Sequence, residues 1–496
     1  MSVILTYLSW NNLLWNLLGV AIGIVFGAIP GLTATMGVAL FLPFTFKMEV
    51  VESFALLLGI YCGGTYGGSI TAVLIRTPGS PASAATVLDG YPMAKRGEAG
   101  KALTWCITAS MIGGLISCLF LIFFSDKIAS WALSFGPSEY FAIGVFGLSI
   151  VASLSGKNLK KGILMACLGL LVTTIGLDPI TGTVRFTFGN PKLSGGISFV
   201  PVLIGVFAIS EVLTNLEGLH KPHAEEERIS NVSNSRLSWA EFKGQIVNLL
   251  RSSLIGTFIG IIPATGSGIA GWISYNTAKN SSKDPDSFGT GTPAGIVASE
   301  AANNAVTGGA LIPLLTLGIP GDVVTAIMLG ALMLQGLTPG PSLFTKNPDV
   351  IFGIYVMLLV ANIFMYLLGR LGVKAFAKAL EVPMNILMSV VFLLCMIGSF
   401  SVANRTLDML FAVIFGIIGY LLRKLDYPMP PLLLGMVLGG TIEANYRRAM
   451  IISQGSLSIF VTRPITLVFL LLAVFMCIYP SMQKAIQKKK AEKNHP

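Results

Sequence analysis

Two long apolar runs in this chain are broken by glycine, proline, threonine, serine and asparagine where an uninterrupted helix would be expected. The first, 9–46, breaks at Pro30-Gly31-Leu32-Thr33-Ala34-Thr35-Met36-Gly37. The second, 252–322, reads SSLIGTFIGIIPATGSGIAGWISYNTAK and then, past a short polar loop, TPAGIVASEAANNAVTGGALIPLLTLGIPGD. In hydrocarbon, backbone released from a helix has no partner, so it must be buried in protein or line a wet cavity. The sequence therefore predicts broken or re-entrant helices enclosed by other helices, and each break is a candidate ligand site.

Composition supplies the membrane. Of 496 residues, 53% are hydrophobic and 11% charged, against roughly 25% charged in a soluble domain. The fold class expected is an all-α polytopic membrane protein with roughly 12 to 14 spans at about 20 residues each, plus re-entrant pieces. The net charge of +10 does not require nucleic acid, because Lys and Arg cluster in short loops and at the C-terminus, as the positive-inside rule expects. Cys62, Cys106, Cys118, Cys167, Cys395 and Cys477 lie singly in apolar runs without ligand spacing and read as buried small residues. No metal site is expected beyond a monovalent cation, and no cofactor. The N-terminus lacks a basic n-region and an A-x-A site before Pro30, so the first helix is expected to be retained.

The second broken run is an altered copy of the first. Laying Pro263 on Pro30 places Gly256 on Gly23, Gly260 on Gly27 and Ser252 on Gly19. Further on, Gly318-Ile319-Pro320-Gly321-Asp322 matches Arg76-Thr77-Pro78-Gly79-Ser80, with Gly309 on Gly67. Two matches in one order imply two homologous repeats. The N-terminal repeat is 1–217 (motif helices 9–81, scaffold helices 98–217) and a hydrophilic linker covers 218–243. The C-terminal repeat is 244–480 (motif helices 244–338, scaffold helices 348–480), and a basic tail covers 481–496. Within the scaffold, spans are expected at about 101–124, 138–155, 162–177 and 197–217, and the second repeat adds spans such as 322–338.

Loop charges assign Lys95, Arg96 and Lys101, then Lys157, Lys160 and Lys161, the linker and the tail to the cytoplasm, and 178–196 to the outside. Arg447-Arg448 breaks that pattern, since a crossing at 431–446 puts it outside. Loop charges alone make the halves parallel. If one broken run turns back as a hairpin they become inverted, the arrangement common where broken helices bind substrate, and inversion is the reading adopted.

Pro30 to Gly37, the Gly63 to Ser83 run, Pro263-Ala264-Thr265-Gly266-Ser267-Gly268 and Glu300-Ala301-Ala302-Asn303-Asn304-Ala305 together resemble the large membrane subunit of tripartite tricarboxylate transporters. The likeness spans nearly the whole chain. It implies a multi-pass permease of the bacterial inner membrane that takes a carboxylate, citrate or another di-, tri- or aromatic acid, from a periplasmic solute-binding protein. It also implies a small membrane subunit as partner and an ion gradient as driving force. The rivals are a standalone ion-coupled carboxylate carrier and, from another class, a polytopic membrane enzyme. Against the enzyme, the chain has no H-E-x-x-H, no phosphate-binding loop and no paired acidic motif on a broken segment.

An anion crossing a membrane loses its hydration, and an unpaired buried charge costs several kcal/mol. Helix N-termini replace that water with free N–H groups and about half a positive charge each. The candidate substrate-binding residues are therefore Gly31, Thr33 and Thr35 at the first break, Thr265, Gly266, Ser267 and Gly268 at the second, and the amides Asn303 and Asn304. Coupling to sodium would use hydroxyl and carbonyl oxygens around Thr65 and Ser69. Coupling to protons would use Glu300, which reads equally as a hydrogen-bonded structural carboxylate. The glycine rows read as helix-packing faces, Asp322 as a helix cap, and Arg76 as either a substrate partner or a snorkelling cation. Asp89, Lys95 and Arg96 read as a solvated loop.

Overall fold

The computed structural model describes residues 6–154, 159–178, 180–218, 235–263, 265–372, 376 and 382–478. Most of the linker (219–234) and the basic tail (481–496) lie outside these residues, as do Lys157 and Ala264. In the first half, α1 (Trp10–Ala28) is followed after a break by α2 (Ala34–Phe41), which runs into a 3-10 turn at Leu42–Lys47. Then come α3 (Val50–Leu74), a 3-10 turn at Pro81–Ser83, α4 (Val87–Met93), α5 (Ala99–Ala132), α6 (Pro137–Leu154) and α7 (Leu159–Thr173). A two-residue ladder of β1 (Gly176–Leu177) and β2 (Val184–Arg185) precedes α8, which starts as Phe199–Leu203 and continues through a π-helical stretch into Ser210–Gly218.

The second half contains α9 (Trp239–Ile261), α10 (Gly266–Asn280), α11 (Pro293–Leu317), α12 (Val323–Leu334), α13 (Pro341–Lys346) and α14 (Pro348–Leu371). It ends with α15 (Met384–Ser401), α16 (Thr406–Lys424), α17 (Pro430–Ile452), α18 (Ile459–Thr462) and α19 (Pro464–Ile478). The all-α class holds, with that one short ladder as the exception among the described residues. Ser238 opens α9 with a reciprocal capping box to Glu241, so this helix begins inside the stretch assigned to the linker. Asp89 to Glu98, read as a loop or an interfacial helix, is helical and leads through a π-turn into α5.

Both broken runs are helical hairpins. Climbing α1, a Cβ on Gly19 would meet the carbonyl of Leu56, one on Gly23 that of Ile60, and one on Gly27 that of Gly64, all at 2.2–2.4 Å. The chain turns over at Gly31 (φ 88°), and α2 descends the same helix, with Ala34 against Gly64 and Gly37 against Ile60. The second run repeats the move on α11. Gly256 faces Ala302 and Gly260 faces Gly309 and Ala310, and then Gly271 returns opposite Ser299 and Tyr275 beside Gly295. These approaches leave no room for a side chain, so the small-residue rows are packing faces.

The two helices that carry the hairpins, α3 and α11, run antiparallel: Ser69 faces Glu300 and Cys62 lies beside Thr307. The hairpins therefore enter from opposite sides. Seven helices among the described residues are long and apolar enough to cross a bilayer, α1 of the first broken run among them. The piece after that break, α2, has 8 residues and α12 has 12; at 1.5 Å per residue they reach only about 12 and 18 Å, so α2 and the span expected at 322–338 are each too short to cross. α5 packs along α11 and α14 along α3, and outside them lie two flanking bundles, with α7 packed on α17 and α16 on α8. Cys62, Cys106, Cys118 and Cys395 are buried, but Cys167 is exposed, because its side of α7 faces away from α17.

The anomalous Arg447 is explained by the small ladder. Its guanidinium pairs with Asp178 at 2.7 Å and with Glu443 at 2.7 Å, while Arg185 pairs with Glu443 at 2.6 Å and Asp178 at 3.3 Å. Two arginines and two acids close a neutral network between α17 and the 178–196 loop, so Arg447 sits on that loop's side without adding net charge. On the opposite side Lys101 pairs with Glu241, and Lys161 donates to the Leu425 carbonyl beside Arg423 and Lys424.

Two outcomes follow from this packing. Gly256→Ala forces a methyl group to within 2.1 Å of the Ala302 carbonyl and should destabilise the detergent-solubilised protein by about 1–3 kcal/mol. Gly244→Ala, on the same helix with nothing within 4 Å, should leave thermal unfolding unchanged or raise its midpoint. The Asp178 carboxyl is held well below its ordinary range by the N–H groups of Thr181 and Ile180 and then by Arg447. A depressed folded-state value means that its stabilising effect is complete above about pH 4 and is lost only as pH falls further, toward the folded value. The difference in melting temperature between the wild type and Asp178→Asn should persist from pH 7 to pH 5 and narrow below about pH 4; a difference that closes by pH 5 would contradict this account.

Candidate functional site

The middle turns of α11 carry the fully buried polar side chains Glu300, Asn303 and Asn304, with the hydroxyls of Ser299 and Thr307 buried on either side. Helical spacing places Glu300 and Asn304 on one face, toward α3, α4 and α5. The Glu300 carboxyl group accepts hydrogen bonds from the hydroxyls of Thr86 and Ser110, the latter at 3.0 Å. Thr86 is itself 2.9 Å from the Ser299 hydroxyl, and Ser69 and Asn303 also face the carboxyl group. Among the described residues no Lys, Arg or His forms an ion pair with it. Tyr66, Cys106 and Arg370 are the other ionisable groups in its surroundings, and Arg370 donates to Thr104.

Asn303 donates to the Ala82 carbonyl at 3.1 Å, and Asn304 donates to the Asn303 side-chain oxygen at 2.7 Å. Among the described residues the Asn304 Oδ1 and the Ser69 Oγ are buried without a hydrogen bond of ordinary length, and Ser69 points at the Glu300 carboxyl group. Polar atoms this deeply buried are nearly always paired, so the pair marks the face of α11 best suited to a ligand. Thr65 is turned away from it, since its hydroxyl donates to the Tyr61 carbonyl on its own helix at 2.9 Å.

The second hairpin tip joins this cluster. A Cβ on Gly268 would lie 3.1 Å from the Pro81 carbonyl, so the start of α10 rests on the turn that Asn303 also touches. Gly266 (φ 68°) makes the reversal and Ser267 is half-buried. The Thr265 hydroxyl donates to the carbonyls of Ile259 and Ile262, completing the end of α9. The first tip lies elsewhere. Thr33 caps α2 by accepting from the Met36 N–H at 3.2 Å, Thr35 is half-buried, and Asn215 of α8 covers Gly31, its amide 3.5 Å from the Gly31 carbonyl. The structure thus brings Gly268, Asn303, Asn304, Ser69 and Glu300 together. Gly31, Thr33 and Thr35 are grouped separately, near Gly64 of α3.

Several residues take roles that sequence reasoning missed. Asp89 is not on a solvated loop: it is fully buried and accepts from the N–H groups of Gly289, Gly291 and Thr292 at 2.8–2.9 Å and from the Tyr275 hydroxyl at 2.8 Å. Arg96 donates to the carbonyls of Thr290 and Gly291, so together they clamp the start of α11 to the first half. Asp322 caps α12 as expected and also accepts from Tyr61. Arg76 lies 5.9 Å over the Tyr91 ring. Glu139 pairs with Arg463, and Glu211 with Arg423. Only the mixed acid and base content of those loops signalled such pairings.

Seven helices apolar enough to cross a membrane, enclosing buried polar groups on α3 and α11, define a multi-pass membrane protein. The model of the Tripartite tricarboxylate transporter TctA family matches residues 13–434, and the chain belongs to that family. It is 38% identical over 485 residues to the "Uncharacterized 52.8 kDa protein in TAR-I ttuC' 3'region" of Agrobacterium vitis, covering 98% of this chain and 96% of that one. It is also 38% identical over 231 residues to the "Uncharacterized protein in TAR-II ttuC' 3'region" of the same organism, covering 46% of this chain and 96% of that one. No solved structure matches.

Asn304→Ala and Thr265→Val test the cluster. Both are expected to weaken substrate binding about ten-fold while leaving membrane insertion intact, as read by binding to the purified protein and by its elution on gel filtration. Normal transport by both variants would remove these residues from the site.

Proposed function

We propose that this chain is the transporting subunit of an ion-coupled secondary active uptake system for organic carboxylates in the bacterial inner membrane. A periplasmic solute-binding protein delivers the substrate, a small membrane subunit completes the assembly, and citrate or a related di-, tri- or aromatic carboxylate is carried inward. The observation that carries this reading is the pair of helical hairpins entering from opposite sides of the protein. Such hairpins bring helix ends and unpaired peptide groups to a protein-enclosed interior, where they replace the hydration of an anion. The antiparallel course of α3 and α11, each bearing its hairpin in the same manner, supports two inverted repeats, and membership of the family supports the tripartite organisation.

In this reading Thr265, Gly266, Ser267 and Gly268 with Asn303 and Asn304 hold carboxylate oxygens, and Gly31, Thr33 and Thr35 complete the site when the flanking bundles shift against the hairpins. The coupling ion belongs at Glu300. Its carboxyl group has hydroxyl donors but, among the described residues, no cation paired with it, and an ionised carboxylate in such surroundings costs several kcal/mol, so a proton or sodium ion that neutralises it would lower the energy of the loaded state. Ser69 supplies a further oxygen.

The test is uptake of labelled citrate into proteoliposomes holding both membrane subunits, with and without the soluble binding protein, under separate sodium and pH gradients. Uptake should require the binding protein and one of the gradients, and Glu300→Gln should abolish the gradient dependence. Robust uptake without the binding protein would reject the tripartite reading, and full coupling in Glu300→Gln would move the ion elsewhere.

A further inference from the structure

A cavity of about 680 Å³ opens where α6 and α17 meet the end of α11, apart from the Glu300 cluster. Its floor is the break after α11, where Gly318 adopts φ 72° and ends the helix. Its wall is mostly apolar, including Phe135, Tyr140 and Met333, with the polar groups of Thr338, Thr441 and Asn445 among them. Arg448 sits at the rim and is exposed.

Charge bookkeeping singles out Arg448. Its neighbour Arg447 is neutralised by Asp178 and Glu443, and Arg185 by the same two acids. Arg463, which approaches Gly136 at the cavity edge, pairs with Glu139 at 3.1 Å. Arg448 has no ion pair among the described residues, so the cavity carries one uncompensated positive charge beside aromatic and aliphatic side chains. A guanidinium grips a single carboxylate in a bidentate fork. The remaining volume suits an apolar body, whereas three carboxylates would leave two charges without a counter-charge against an apolar wall.

We propose that this cavity is an entry site for the transported anion on the side of the 178–196 loop, with Arg448 as its carboxylate anchor and a preference for a carboxylate borne on an apolar or aromatic body over a tricarboxylate. The proposal rests on the transport reading and narrows its substrate class. Past the break at Gly318 the chain reaches Asp322, which accepts from Tyr61 of α3, so the cavity floor adjoins the helix that carries the first hairpin.

The test is equilibrium binding of labelled benzoate and labelled citrate to the purified full-length protein. Benzoate should bind more tightly than citrate; Arg448→Gln should weaken benzoate by about ten-fold or more, and Arg448→Lys should restore part of the loss. As a readout independent of folding effects at Arg448, a cysteine placed by Thr441→Cys should be shielded from a charged thiol reagent by benzoate and not by citrate. Failure of the wild type to bind benzoate, equal binding by Arg448→Gln, or shielding by citrate alone would overturn the proposal. Gradient-driven citrate uptake that Arg448→Gln leaves unchanged would retain transport and discard this site. Benzoate binding that depends on Arg448, without any driven uptake, would retain the site and discard the transport reading.

Discussion

The close approach of α1 to α3 and of α9 to α11 is the constraint on which the rest depends. Glycine carbonyls and Cα atoms meet at distances that a single methyl group would spoil, and that intimacy lets two helices and a returning third share the width normally taken by one pair. Without it the broken segments would face lipid with unsatisfied peptide groups. With it, the turn at Gly31 is covered by Asn215, and the start of α10 packs at Gly268 against the 81–83 turn.

The stacking also explains the division of labour among the helices. α3 and α11 are buried along nearly their whole length, so their side chains decide what the interior can bind; Glu300, Asn303, Asn304 and Ser69 are among the buried polar groups they carry. The flanking bundles, by contrast, hold themselves together at their ends with ion pairs such as Glu211–Arg423 and Glu139–Arg463. Such pairs at the rim gain little energy individually but fix which loop meets which helix.

Much of this was legible in the residues. Pro30 and Pro263 with their glycines announced the breaks, because proline cannot donate and glycine reverses the chain at little cost. The burial of Glu300, Asn303 and Asn304 followed from their apolar context. What sequence could not disclose was direction. A run interrupted by a turn has the same composition whether the second piece continues across or folds back, so composition alone leaves the course of that piece open. Asp89 was misread for a related reason: its partners are backbone N–H groups some 200 residues away, which leave no mark in composition. Thr265 was expected to face the ligand, yet its hydroxyl first answers the carbonyls its own helix leaves open. The odd Arg447-Arg448 pair was visible as an exception, and its resolution needed the acids of a distant loop.

That network has a consequence for the order of assembly. Asp178 precedes Arg447 by 269 residues, so the acid of the 178–196 loop is already made when α17 is synthesised. Glu443, one helical turn ahead of Arg447, belongs to the same helix and pairs with it there, so α17 arrives at the loop with part of its charge already offset.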